Sequence, residues 1–266
     1  MKTLSLVVLG AAFAAWGQDA GRVKIPFSDP SRPKTVKVNL IMGSITVKGY
    51  AGNEVLVDVS GDSERHRDRG DAPPGMRRID AFGGGFQAEE SENTVSITAN
   101  PNRHSDLSIQ VPVNTSLKLS TINGGFVEVD GVNGDLDVNN TNGKITLTHV
   151  SGAVVAHALN GKLIAELDRV DAGKAMSFSS LNGNIDVTLP ASMKANVKMR
   201  SDNGEIYSDF DVKVDGSAKP VVEDNRSERG RYRVKIDRTV FGTINGGGPD
   251  IQFTTFNGNI YIRKGK

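Results

Sequence analysis

Carboxylates are the side chains whose type and spacing most invite chemistry. In Gly131-Val132-Asn133-Gly134-Asp135-Leu136-Asp137 the acids follow glycines much as they do in nine-residue calcium-binding β-rolls. Calcium takes about six to eight oxygens, so an acid must recur in the same register to close each cage. The residue after the repeating glycine is instead Phe126, Asp135, Lys144, Ala153 and Lys162, and a lysine there repels the ion. No metal site is expected, and Asp130, Asp135 and Asp137 read as solvated edge charges that discourage edge pairing. Asp186 with Glu205, or Glu166 with Asp186, offers the carboxylate pair that glycoside hydrolysis holds about 5–10 Å apart across a groove. Stacked outward charges produce such pairs in any repeat fold, so they do not by themselves argue for an enzyme. His149 and His157 fall on neighbouring repeats, yet two imidazoles without a thiolate or carboxylate partner make a poor metal site. Gly83-Gly84-Gly85 lacks the Gly-Lys-Ser/Thr of a phosphate loop and reads as a bend, while Gly246–Gly248 before Pro249 reads as close backbone packing at a corner. No catalytic residue, cofactor or enzymatic activity is expected.

The elements that would position any site follow from a repeat. Gly125, Gly134, Gly143, Gly152 and Gly161 are spaced nine residues apart. Two residues after each glycine stand Val127, Leu136, Ile145, Val154 and Leu163, and four after stand Val129, Val138, Leu147, Ala156 and Ala165. That alternation predicts a short strand with one buried face. Val132, Thr141, Val150 and Leu159, seven residues on, break the parity and predict a bend before the chain turns inward again. Asn-Gly pairs supply a second corner, at Asn123, Asn133, Asn142, Asn160, Asn182, Asn203, Asn245 and Asn257, because both residue types accept positive φ cheaply. Gly183, Gly204, Gly246 and Gly258 extend the set of corner glycines beyond the regular five. Asn-Gly also fits an antiparallel meander, but a hairpin strand needs no corner in its middle. The parity break therefore favours an all-β, single-stranded β-helix or solenoid with about 18–22 residues per coil, whose stacked asparagines form hydrogen-bonded ladders. The interval from Gly204 to Gly246 reads as two coils, one carrying a charged hairpin between Glu223 and Arg233. Residues 18–120 form a less regular N-terminal part, in which Gly43-Ser44-Ile45-Thr46-Val47 is a degenerate copy of the repeat, and residues 121–266 carry the regular Asn-Gly repeats.

Composition sets the limits. The 266 residues include 30 glycines and no cysteine, so no disulfide holds the chain together. A formal charge of +1, with acids and bases interspersed, argues against nucleic-acid binding. Met1-Lys2, an apolar run from Leu4 to Ala15, and small residues at Ala15 and Gly17 predict a signal peptide over residues 1–17. The run is shorter than the roughly 20 residues that span a bilayer, so an exported protein without a transmembrane segment is expected, in a bacterial periplasm or at the cell surface.

Thr121-Ile-Asn-Gly, Leu181-Asn-Gly-Asn-Ile-Asp-Val-Thr-Leu-Pro190, Ser201-Asp-Asn-Gly-Glu-Ile206 and the stretch from Gly242-Thr-Ile-Asn-Gly-Gly-Gly-Pro249 to Phe256-Asn-Gly-Asn-Ile-Tyr-Ile262 carry a family likeness. The chain resembles the bacterial putative-adhesin families, exported β-strand-repeat domains related to the head GIN adhesin domain. The resemblance covers roughly residues 110 to 266 and brings no catalytic set. It implies a non-enzymatic adhesin or envelope-binding role, with an envelope, surface or carbohydrate ligand. A carbohydrate-active β-helix enzyme, lyase or hydrolase, is the alternative, and it requires a groove with converged carboxylates. A flat ladder of Thr, Asn and Ser on one outer face favours adhesion instead. The last strand, Asn257–Ile262, is expected to form an exposed terminal edge guarded by Arg263, Lys264 and Lys266.

Overall fold

The apolar alternation does make strands, and the nine-residue step carries each one to the opposite side of the molecule. The structure, a computed structural model, describes residues 22–61, 85–215, 221–225, 231–235 and 238–265, all of it strand, turn or loop. Residues 1–17, where the signal peptide is expected, and residues 62–84, which include Gly83 and Gly84 of the expected bend, lie outside the described residues. Strands of the first part are β1 (Arg22–Pro26), β2 (Thr35–Met42), β3 (Ile45–Tyr50), β4 (Glu54–Gly61), β5 (Phe86–Ser91), β6 (Thr94–Ala99) and β7 (Ser105–Pro112). The regular repeats give β8 (Ser116–Asn123), β9 (Val127–Asp130), β10 (Leu136–Asn142), β11 (Ile145–Ser151), β12 (Val154–Asn160), β13 (Leu163–Arg169), β14 (Met176–Asn182) and β15 (Ile185–Leu189). They are followed by β16 (Ala195–Asn203), β17 (Ile206–Ser208), β18 (Val212–Val214), β19 (Val221–Asn225), β20 (Arg231–Lys235), β21 (Val240–Ile244), β22 (Asp250–Asn257) and β23 (Ile260–Lys264).

Even-numbered strands from β8 to β16 lie in one sheet and the odd-numbered strands from β9 to β17 in the other. Each repeat strand pairs in parallel with the next strand of its own sheet, as Leu136 with Val154 and Ile145 with Leu163. Parallel pairing rules out the meander. The two sheets enclose one apolar core: Val127, Val129, Leu136, Val138, Ile145, Leu147, Val154, Ala156, Leu163 and Ala165 are all buried. Phe178 and Phe253 stack inside it with centroids 5.4 Å apart.

The parity break is confined to one sheet. Val132 and Val150 turn inward beyond residues of positive φ, Gly131 at 70° and His149 at 50°, and the β11–β13 register shifts at the same place. In the other sheet β10 and β12 run straight, so Thr141 and Leu159 are not buried and Asn140 and Ala158 point inward instead.

Stacking order departs from chain order at both ends. β2 and β3 sit between the layer of β6 and β7 and the layer of β8 and β9. At the far end β22 inserts between β14 and β16, and β23 between β15 and β17. The last strand is therefore an interior strand and not the terminal edge expected from sequence. The interval from Gly204 to Gly246 is likewise not two stacked coils. After β17 the chain leaves the stack, passes through β18 and the β19–β20 hairpin, and lays β21 antiparallel along the free side of β16, with β18 paired antiparallel to the outer side of β21. A layer offers the same ladder of backbone groups on both sides, so any layer fits between two others.

Candidate functional site

One corner of the stack explains the Asn-Gly pairs. Asn123, Asn142, Asn160, Asn182, Asn257 and Asn203 stand in spatial order, and from Asn142 onward each side-chain amide donates to the side-chain carbonyl oxygen of the asparagine before it at 2.7–3.2 Å. Consecutive members are 18, 19 or 22 residues apart within the regular repeat. Two positions before the asparagine, an inward polar side chain closes the corner. Thr121, Asn140, Ser180, Thr255 and Ser201 donate to the carbonyls of Gly43, Gly125, Gly161, Gly183 and Gly258 at 2.8–3.1 Å. The reason for glycine is close approach, not positive φ at asparagine. A Cβ on Gly125, Gly143, Gly161, Gly183, Gly204 or Gly258 would fall 1.8–2.3 Å from a carbonyl oxygen of the neighbouring layer. Gly134 and Gly152 meet the same obstacle at the opposite corner, where Asn133 donates to Asn114 at 2.9 Å. Asn245 and Gly246 join neither ladder: they form the turn before β22, with Asn245 at φ 50° and donating to Ala191 and Met193.

The groups with chemical potential are dispersed. Asp186 is held by Arg263 through two bonds of 2.6 and 3.0 Å, which commits its carboxylate to an ion pair. β23 lies between Asp186 and Glu205, with Tyr261 beside Asp186 and stacked on Tyr207 at 5.2 Å. Tyr207 donates to Glu205, and this hydrogen bond, followed by the carboxylate's charge, raises the phenol's pKa. Glu166 sits beside Thr188, two residues along from the Ile164–Asp186 pair. The histidines do not approach each other: His149 lies on the β11 sheet and His157 on the β12 sheet. His149 bonds Asp130 at 3.1 Å, which raises the imidazole pKa and lowers that of the acid, while His157 bonds Ser179 at 2.7 Å. Asp135 is paired with Lys174 at 2.9 Å, and Asp137 accepts from Asn139 at 2.9 Å. Asp130, Asp135 and Asp137 belong to the middle of the stack and are not edge charges.

What does converge is the outer face of the sheet containing β10. In one outward row Gln87, Thr98, Asn39, Ser120, Asn139, His157, Ser179, Thr254 and Arg200 are successive register partners from β5 across to β16. Eight strand spacings of about 4.8 Å make this row about 38 Å long. The parallel row beside it reads Lys37, Lys118, Asp137, Val155, Ser177, Gln252, Lys198 and Phe241. Three adjoining depressions run along these rows. One of about 230 Å³ lies between Lys37 and Asn139, and shares Lys118 and Asp137 with another of about 450 Å³. The second meets a third, of about 660 Å³, at Val155, and the third reaches Phe241. Sequence reasoning missed the groove, because its neighbours are far apart in the chain, as Lys37 is from Lys118 and Ser177 from Gln252.

The family model described as Toastrack DUF4097 matches residues 19–245. No curated protein matches the chain. Among solved structures the chain is similar to a putative cell adhesion protein from Clostridium sporogenes, at 13% identity and a TM-score of 0.44, covering 92% of this chain and 99% of that one. It is also similar to a putative adhesin from Bacteroides fragilis, at 9% identity and a TM-score of 0.42, covering 91% of this chain and 95% of the other.

Proposed function

Because the chain belongs to the Toastrack DUF4097 family, we propose that it is an exported, adhesin-like binding protein with no enzymatic role. In this reading residues 1–17 direct export to the periplasm or cell surface, and residues 18–266 form one β-solenoid domain of about 18–22 residues per coil. The outer face of the β10 sheet is the adhesive surface. The observation that supports it is the outward row from Gln87 to Arg200, seven of whose nine side chains are hydroxyls or carboxamides. Fixed to a hydrogen-bonded sheet, these groups present donors and acceptors at a regular spacing. Little side-chain entropy is lost when a partner settles on them. The carboxylates named above as hydrolase candidates lie on the other sheet or at a corner, away from this groove. Beads coated with the full chain should retain whole bacterial cells under flow, and the Ser120→Arg, Ser179→Arg double variant should retain far fewer. Equal retention by the two proteins would remove this face from the function.

A further inference from the structure

We propose that the groove binds a neutral, hydroxyl-rich polysaccharide lying across the strands, with one sugar ring seated against Phe241. This rests on the binding face proposed above and names its ligand class. The groove crosses a sheet face, where backbone N–H and C=O groups are already paired between strands. An extended peptide that adds itself as a strand needs a free edge to hydrogen-bond, and the floor of this groove has none. Recognition here must run through side chains, and the floor provides Ser177, Gln252 and Asn196. Such groups both donate and accept, as a polyol requires.

Charge points the same way. Lys37, Lys118 and Lys198 along the groove are set against Asp135, Asp137, Asp215 and Asp250. A polyanion would gain from the lysines only to be repelled by the acids, so a neutral polymer is the matched partner. Phe241 gives the site its fixed point. Its ring is 47% exposed on β21, at the end of the row, and Lys198 Nζ lies 6.0 Å from the ring centroid. An exposed aromatic face beside amides and hydroxyls suits a pyranose, whose C–H face is apolar and whose rim is polar. Val155, 46% exposed, forms the other apolar contact four strand spacings away. That is about 19 Å, so several sugar units are needed to touch both and single sugars should bind poorly.

Isothermal titration of the full chain with cellohexaose, chitohexaose and maltohexaose, each beside its monosaccharide, tests this. At least one hexaose should bind, its monosaccharide at least tenfold more weakly. Phe241→Ala should cut hexaose affinity about tenfold and Phe241→Tyr should restore it, while Tyr207→Ala on the opposite sheet should leave it unchanged. Because Phe241 is half-exposed, all three variants should keep the wild-type circular-dichroism spectrum. Affinity unaffected by Phe241→Ala, or lost equally in Tyr207→Ala, would overturn the site. If no hexaose binds while coated beads still hold cells, the polysaccharide assignment fails and the adhesive reading stands. If a hexaose binds but the beads hold no cells, the groove stands and the adhesive reading fails.

Discussion

Replacing Gly161 by alanine tests what holds neighbouring layers at their spacing. A Cβ at this position would lie 1.9 Å from the Gly143 carbonyl oxygen and 2.5 Å from its carbon. Reaching an ordinary contact of 3.4 Å requires the layers to part by about 1.5 Å locally, a third of the roughly 4.8 Å strand spacing. Three hydrogen bonds cross that gap. Gly143 N donates to Asn160 O at 3.2 Å, Ile145 N to Lys162 O at 3.0 Å, and Asn160 Nδ2 to Asn142 Oδ1 at 2.9 Å. At about 1 kcal/mol net each, their loss costs about 3 kcal/mol. The substitution also restricts the unfolded chain, which offsets this by about 0.4–1 kcal/mol. The net expectation is a destabilisation of about 2–3 kcal/mol. Gly173→Ala is the internal control, since its Cβ would meet only Asp171 Oδ1 at an ordinary 3.6 Å. There only the unfolded-state term operates, and stability should rise by about 0.5 kcal/mol. Urea denaturation followed by circular dichroism compares the two at equal m-values. If Gly161→Ala and Gly173→Ala fall within about 1 kcal/mol of each other, close approach is not what fixes glycine at the corner.

Other consequences can be checked separately. Asn160→Asp removes the donor to Asn142 and sets a carboxylate against that carbonyl, so it should cost about 1–2 kcal/mol at pH 7 and less at pH 3, where the acid is protonated; pH-independent loss would refute the ladder. His149, raised by its Asp130 hydrogen bond, should titrate by NMR above 6.5 and move downward in Asp130→Asn. The pair's contribution is fully present below His149's unfolded pKa and fades as pH rises through the raised folded value. On the acid side it fades as pH falls through Asp130's lowered folded value. A His149 midpoint unchanged by Asp130→Asn would break the assignment. Because β22 and β23 are interior strands, Arg263→Ser with Lys264→Ser should leave light scattering monomeric at low ionic strength. A chain ending at Pro249 should instead aggregate, through the newly opened edges of β14, β15, β16 and β17. Oligomers from the double serine variant, or a monomeric truncated chain, would contradict the insertion of the last layer.

The sequence alone determined that the residues two and four places after each repeating glycine face inward. A period of nine with apolar residues at fixed offsets leaves a strand only one face to bury, and Val127 through Ala165 follow that rule. It also determined that asparagines recurring about 18–22 residues apart can meet, since two beats make one circuit. The inward polar position was legible too, because Thr121, Asn140, Ser180, Ser201 and Thr255 each precede an Asn-Gly by the same step, although the pattern draws the eye to the asparagine. Only the tertiary structure decided why the glycines are there, since their obstacle is a carbonyl from another layer. It also decided the stacking order. Every layer presents equivalent backbone ladders above and below, so local pattern cannot distinguish a layer added at the end from one inserted between two others. That choice placed Gln252 beside Ser177 and Lys198. Lys37 beside Lys118 and Gln252 beside Ser177 are long-range pairings that no nine-residue window contains.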